Sequence, residues 1–272
     1  MKNNTGSPKV VFITGASSGI GKAIGNYLCK RNFIVYGTSR NSKGKTSNFT
    51  LIDLDVTSEV SISNAVNEVL QKEGRIDVLV NNAGVGITGP MEETPTEEIR
   101  KAFETNFYGP INVCKAVIPA MRTRNEGLII NVTSIAGYMG LPYRGIYSAS
   151  KAALEIATEA FRMELKSFNI RMTNVAPGDF ATNIASGRYH APVLKESPYR
   201  ESYGATLALM NEHVDAGKDP GMMAEAIYKI ITATHPKTHY KVGEVIQKFS
   251  IVLKRILPDR TYEKMLMKHY KL

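Results

Sequence analysis

The residues best suited to chemistry are a tyrosine and a lysine four apart, Tyr147 and Lys151. On a helix that spacing sets both side chains on one face, where they can meet. A free tyrosine has a pKa near 10, about three units above neutrality, so forming phenolate costs roughly 4 kcal/mol unless a cation lowers that value. Lys151 can supply the cation, and the pair can then pass a proton to or from a substrate oxygen. Ser134 follows the apolar run Gly127–Val132 and offers a hydroxyl to an oxygen on which negative charge develops, with Thr133 beside it as a second hydroxyl. Near the start of the chain, Thr14-Gly15-Ala16-Ser17-Ser18-Gly19-Ile20-Gly21 closes one apolar run and opens a helical pattern. Glycines there let the backbone turn tightly and approach a pyrophosphate, while a helix start contributes unpaired N–H groups and the positive end of its dipole. The spacing is Gly-x3-Gly-x-Gly, and a plain strand-to-helix turn accounts for such a run as well as a dinucleotide cradle does.

These residues are positioned by an alternation of short β-branched runs and longer helical patterns, the mark of a parallel sheet built from βαβ units. Strands are predicted at Val10–Thr14, Ile34–Thr38, Thr50–Asp53, Ile76–Asn81, Gly127–Val132 and Arg171–Ala176. Most are continuous apolar runs, which a sheet covered on both faces requires. Helices are predicted at about Gly19–Arg31, Ser58–Gln71, Glu97–Arg122, Tyr147–Phe168 and Gly221–Ala233, with Pro119 bending or disrupting the third. The fold class is therefore α/β, a doubly wound parallel sheet of six strands. A single domain over 1–272 is expected: a dinucleotide-binding core at 8–178, a lid at 179–220, and C-terminal helices with a basic tail at 221–272. Ligands of such sheets bind beyond the carboxyl ends of the strands, which is where the lid lies.

Four further elements follow in order: Asn81-Asn82-Ala83-Gly84 at a strand end, Ser134 after a strand, Tyr147-x3-Lys151 opening a helix, and Pro177-Gly178 closing the next strand. With the first glycine motif they resemble the short-chain dehydrogenase/reductase family over nearly the whole chain. That resemblance implies hydride transfer between a nicotinamide cofactor and a carbonyl/alcohol pair, with Asn106, Ser134, Tyr147 and Lys151 as the catalytic set. It assigns Tyr147 the acid/base role, and gives Asn106 a water that links Lys151 to solvent. It places Gly15, Ser17, Ser18, Gly19, Ile20 and Gly21 at the pyrophosphate and Asp55-Val56 at the adenine. Asn82, Ala83 and Gly84 pass beside the adenine ribose, and Pro177, Gly178 and Thr182 lie along the nicotinamide and its phosphates, while Asn81 stabilises the sheet. Without the resemblance Asp55 is equally a turn or capping residue.

NADP(H) is the expected cofactor. Folds selective for NAD place a carboxylate at the end of the second strand, against the ribose 2′-hydroxyl. This chain has Ser39 there, followed by Arg40, whose planar charged fork suits a 2′-phosphate. Lys43 and Lys45 add positive field or are solvated loop charges.

The chain has 272 residues, 43% hydrophobic and 22% charged, a globular composition without a low-complexity tract. Its formal charge is +9, of which +5 falls in 241–272, where eight Lys/Arg meet three Asp/Glu. The aromatic residues there lack the interleaving of a nucleic-acid groove, so no nucleic-acid partner is expected. Cys29 and Cys114 read as reduced thiols, not as a disulfide or a metal site, and no apolar run approaches the roughly 18 residues of a membrane span. A cytoplasmic homo-oligomer, dimer or tetramer, is expected. Gly243–Leu257 reads as an amphipathic helix that packs on its own pocket, on a partner subunit or on a membrane surface. Its flanking Tyr240-Lys-Val-Gly and Leu257-Pro-Asp-Arg segments resemble members acting on steroids, retinoids and other lipid-like ketones. Met210, Met222, Met223 and Leu207 point to a bulky apolar substrate. The competing reading is a regulator that senses NADP(H) without turnover; proteins of that kind usually lack the Tyr or the Lys.

Overall fold

The computed structural model describes residues 7–180, 187–215 and 217–272, the stretch 211–215 by its backbone alone. Strands β1 (Val10–Ile13), β4 (Val78–Asn81) and β6 (Gly127–Val132) are buried at every position, as their unbroken apolar runs require. They form the centre of a sheet with β2 (Ile34–Ser39), β3 (Thr50–Asp53), β7 (Ile170–Pro177) and β9 (His239–Val242), in the order β3-β2-β1-β4-β6-β7-β9. Every pairing is parallel. The chain reverses its direction of travel across the sheet between β1 and β4, which opens a crevice there at the strands' carboxyl ends. A short parallel pair, β5 (Ile87–Thr88) with β8 (Tyr189–His190), stands apart.

Helices α1 (Gly19–Cys29) and α7 (Gly221–Thr232) cover one face, where Ile24, Leu28, Met223 and Ile227 meet Val11, Ile13 and Val80. On the other face α2 (Glu59–Glu73) and α4 (Gly109–Thr123) bring Ile62, Val66, Val113 and Val117 onto Phe12, Leu79 and Ile129. Ser58 caps α2 by accepting from the Ser61 N–H, and Gly74, at φ +70°, ends it. The remaining helices are α3 (Thr96–Phe103), α5 (Gly145–Glu164), α6 (Arg200–Asp215), α8 (Val245–Ile256) and α9 (Asp259–His269).

Three expectations are corrected. The sheet has seven strands, not six: β9 is a half-buried edge strand of sequence His-Tyr-Lys-Val, with no apolar run to announce it. The helix expected over Glu97–Arg122 is two helices joined by a π-helical turn at Glu104–Tyr108. The interruption falls there and not at Pro119, which α4 runs through. The tail adds α9 beyond the amphipathic helix.

Asp77 ties β1 to β4 at their amino ends. Its Oδ2 accepts the Val10 N–H at 2.7 Å, and its carboxylate pairs with Arg75 at 3.1 Å and Arg124 at 2.7 Å. Removing a buried carboxylate so engaged costs about 3 kcal/mol or somewhat less, because both arginines keep partial access to water. Asp77→Ala is expected to lower the denaturant midpoint accordingly, with the slope of unfolding unchanged. A midpoint within error of the parent would show that the cluster contributes nothing.

Candidate active site

The glycine turn is built by close approach. Gly15 has φ +66°, and a Cβ there would lie 2.9 Å from the Ala83 Cα; one on Gly21 would lie 2.4 Å from the Gly15 carbonyl oxygen. The Asn82 side-chain amide donates to the carbonyls of Thr14 and Gly15, both at 3.0 Å. In return the Thr14 hydroxyl accepts the N–H groups of Asn82 and Ala83, also at 3.0 Å. The turns after β1 and β4 are thereby locked together, and Thr14 is a bracing residue that the sequence did not single out. Ser18 precedes α1 in extended conformation without a side-chain cap, and the first turn of α1 carries no acidic residue. The helix start is left open for an anionic group.

A cavity of about 860 Å³ runs from this turn. Gly15, Ser17, Ser18, Gly19 and Ile20 border it, whereas Gly21 lies beneath, against Gly15 and Asn82. At one end stand Ser39, Arg40, Asp55 and Val56, together with Asn41 and Lys45. The Lys45 Nζ donates to the Ser39 Oγ at 2.7 Å, so this lysine belongs to the site, whereas Lys43 does not border it. The 40–45 loop is held by the Asp53 carboxylate, which accepts the Ser42 N–H at 2.7 Å; hydrogen bonds from Ser42 keep this carboxyl below its ordinary pKa. Asp55 is both turn residue and cavity wall: its Oδ1 accepts from the Thr57 N–H and hydroxyl at 2.9 and 2.8 Å. Asn82, Ala83 and Gly84 line the middle, and Tyr147, Lys151, Thr133 and Pro177 close the other end.

There Lys151 is buried and donates to the Val132 carbonyl at 3.1 Å. Burial lowers its pKa, opposed by the charges of Tyr147 and Glu155. Gly84 makes the room, since a Cβ on it would be 3.3 Å from the Lys151 Nζ and 3.2 Å from the Asn106 Oδ1. Asn106 sits in the π turn behind the cavity wall. Its Oδ1 accepts the Val85 N–H at 2.9 Å, and its Nδ2 donates to the Val85 carbonyl at 2.9 Å and the Ser150 Oγ at 3.1 Å. Both side-chain amide protons are thus donated to protein groups. Ser150 in turn donates to the Tyr147 carbonyl at 2.8 Å, so Asn106 braces the first turn of the helix that carries the pair. The Tyr147 hydroxyl has no hydrogen-bond partner among the described residues.

Ser134 and Gly178 border a second cavity of about 640 Å³, and Pro177 borders both cavities. The Ser134 Oγ accepts the Ala136 N–H at 3.1 Å, which leaves its proton free to donate; the neighbouring Thr133 hydroxyl turns to the Val175 carbonyl. The walls are mostly apolar: Ile135, Met139, Leu141, Phe249, Leu253 and Leu266. Arg144, Arg188 and Lys218 add three cations and Asp179 and Glu244 two carboxylates, and the Arg144 guanidinium lies 5.3 Å from the Tyr147 ring centroid. Of the apolar residues expected here only Met210 borders the cavity. Met223 is core beneath α7, Met222 is exposed and Leu207 is half-buried elsewhere. The turn after β6 and the C-terminal helices supply the other apolar walls. Thr182 lies outside the described residues.

Two buried networks surround the site. Asn81 donates to the Asn131 Oδ1 at 2.9 Å and Asn131 to the Thr158 Oγ1 at 2.8 Å, joining β4, β6 and α5. Cys114 beside them is a free thiol with its pKa pushed up to about 12 by burial, and Cys29 is free as well. One turn beyond Lys151, the Glu155 carboxylate accepts from Tyr138 and from the His239 Nδ1 at 2.8 Å, with Glu159 3.1 Å from the His239 Nε2. The i, i+4 spacing of Tyr147, Lys151, Glu155 and Glu159 is the signal that could have revealed this cluster.

Lys151→Met tests the cost of burying the ammonium. The folded pKa lies below the unfolded value, so between the two the unfolded chain holds more protons and stability rises with pH. The destabilising contribution is complete below the folded pKa and disappears towards the unfolded one. The variant is therefore expected to melt at or above the parent at neutral pH, with the difference narrowing in alkali. A melting temperature lower by several degrees would show that the Val132 contact outweighs desolvation.

Comparison with known proteins agrees with this geometry. A family model described as short chain dehydrogenase matches residues 9–192. The chain belongs to the short-chain dehydrogenase/reductase family of oxidoreductases. A 3-ketodihydrosphingosine reductase of Bacteroides thetaiotaomicron is 40% identical over 253 residues, 93% of this chain and 94% of the relative. Human retinol dehydrogenase 8 is 32% identical, covering 85% of this chain and 80% of its own. A short-chain dehydrogenase structure from Streptomyces avermitilis superposes with a TM-score of 0.82 at 30% identity over 97% of both chains. Solved proteins of the same fold include complexes with NAD and with NADP.

Proposed function

We propose that the protein is an NADP(H)-dependent oxidoreductase that interconverts a bulky apolar ketone and its secondary alcohol. A long-chain ketone of the kind named for the Bacteroides relative is the first candidate. The observation that carries the reading is the placement of Tyr147 and Lys151 at the end of the long cavity, beside an apolar chamber reached past Ser134 and Pro177. Retention of both residues, with the tyrosine hydroxyl unspent, speaks against a regulator that only senses the nucleotide.

The long cavity fits a nicotinamide dinucleotide. Gly15 and Gly21 leave no room for a Cβ, the α1 start would hold the pyrophosphate, Asp55 and Val56 the adenine, and Asn82, Ala83 and Gly84 the ribose. Arg40 and Lys45, with no carboxylate at Ser39, would hold a 2′-phosphate. The bound nicotinamide supplies or accepts the hydride. The Tyr147 hydroxyl gives its proton to the carbonyl oxygen in reduction and takes it back in oxidation, while Ser134 donates a hydrogen bond to the same oxygen. Lys151, anchored on the Val132 carbonyl, stabilises the phenolate by its charge and is placed to bind ribose hydroxyls. Asn106 positions the start of the Tyr147 helix through Ser150 and Val85, and the oxygen lone pairs that these bonds leave over would hold the water that links Lys151 to solvent.

We further propose a cytoplasmic homo-oligomer. Ile156 and Met163, seven apart on α5, are 68% and 72% exposed and offer an apolar face to a second copy.

Loss of NADPH absorbance with a panel of ketones tests the activity. Steroid, retinoid and long-chain ketones are expected to be reduced with kcat/KM at least about tenfold above sugars and amino-acid-derived ketones, since each further buried methylene is worth ~0.8 kcal/mol. Nucleotide binding without turnover of any ketone would favour the sensor, and a preference for small polar ketones would overturn the apolar assignment.

A further inference from the structure

Helix α8 turns its most apolar side away from the subunit. Val245, Phe249, Val252 and Ile256 recur at intervals of four, three and four, and so share one face of a helix. They are 78%, 53%, 41% and 71% exposed, and Ile246 beside them is 72% exposed. The inward side is mixed: Ile251 is buried and Leu253 packs on the same cluster, while Gln247 donates to the Asp179 carboxylate at 2.8 Å and Ser250 to the Gln247 carbonyl at 2.7 Å. A helix that only closed a pocket would not also hold a four-residue apolar stripe in solvent.

Charge follows the stripe. Lys248 and Arg255, also seven apart, run along its edge, and α9 adds Arg260, Lys264 and Lys268. Two of the three acidic residues of the tail are already paired, Asp259 with Lys254 at 2.8 Å and Glu244 with Lys218 at 3.0 Å. Ile246 and Phe249 lie on the exposed side and also border the 640 Å³ chamber, so the stripe rims the chamber's mouth.

We propose that α8 docks on an anionic phospholipid bilayer. The stripe enters the boundary between headgroups and acyl chains, the basic edge meets the phosphates, and the chamber opens where an apolar substrate is dissolved. The docking rests on α8 and the charges of α9; the route of substrate entry rests also on the apolar-ketone reading above. A second copy of the chain is the competing occupant. A twofold contact would press one basic edge against its own image, whereas an anionic surface complements it.

The test is co-sedimentation of the full chain with phosphatidylcholine vesicles, with and without phosphatidylglycerol. Turnover of a small water-soluble ketone is measured in the same preparations. The parent is expected to bind the anionic vesicles and to release in high salt. Val252→Glu/Ile256→Glu and Lys248→Glu/Arg255→Glu, none of which borders the chamber, are each expected to weaken binding by at least about tenfold with turnover of the soluble ketone unchanged. The proposal is overturned if the parent ignores anionic vesicles or if both variants bind as the parent does. It is equally overturned if Val252→Glu/Ile256→Glu fails to fold, because the stripe would then be buried, or turns a dimer into monomers while vesicles are ignored. Vesicle binding without turnover of any ketone would leave the docking standing and remove the catalytic reading.

Discussion

Tyr147→Phe is expected to lower kcat by about 10²–10⁴-fold while leaving NADPH affinity and melting temperature close to those of the parent. The ring keeps its packing, including the Arg144 guanidinium 5.3 Å from its centroid, and the hydroxyl that is lost has no partner among the described residues. Only the transferable proton disappears, so the effect belongs in kcat and kcat/KM together and not in the cofactor's dissociation constant. Single-turnover reduction at saturating NADPH, with cofactor binding followed by fluorescence, separates the two. Turnover within about tenfold of the parent would remove Tyr147 from the acid/base role and turn attention to the other hydroxyls of the site, those of Ser134 and Thr133.

The second large effect is on cofactor choice. The parent is expected to prefer NADPH over NADH by about ten- to a hundredfold in kcat/KM, the worth of one charge-assisted hydrogen bond of roughly 1.5–3 kcal/mol. The loop at 40–45 lies at the surface, so the preference should shrink with added salt. The Lys45 Nζ already sits 2.7 Å from the Ser39 Oγ, which makes the change at position 39 a change in the lysine's partner as well. In Ser39→Asp/Arg40→Ala the new carboxylate would repel a 2′-phosphate and draw Lys45 to itself, and the preference should fall to parity or reverse. Adding Lys45→Ala should take away what remains. A parent that favours NADH, or a triple variant that keeps its preference for NADPH, would refute the assignment.

Some parts of the site are local in sequence and others are not. The glycine turn, the Asn82-Ala83-Gly84 turn and the Tyr147/Lys151 pair could be read from the chain because each depends on neighbours within a few residues: a tight turn, a strand end, one turn of helix. The strands of continuous apolar sequence were legible for the same reason, since burial on both faces leaves an unbroken apolar run; the edge strand β3, with one buried residue, is the exception among the six. Strand β9 left no such pattern, because an edge strand buries only part of each side chain and tolerates His239 and Lys241.

Asn106 shows where local reading stops. A polar residue in the middle of a helical pattern signalled a special role, but the Val85 and Ser150 groups that engage its side-chain amide lie 21 and 44 residues away. The bracing of Thr14 by the backbone of Asn82 and Ala83 spans nearly 70 residues and was equally invisible. By itself the sequence determined the α/β alternation, the family and the pairing of Tyr147 with Lys151 on one helix, because helical spacing and turn chemistry act over short distances along the chain. The tertiary structure alone decided which side chains border the second chamber, that Lys45 and not Lys43 reaches Ser39, and that α8 shows its apolar stripe to solvent. Each of these depends on what a distant segment packs against, and a period of 3.6 residues says that a helix has an apolar side without saying which way that side faces.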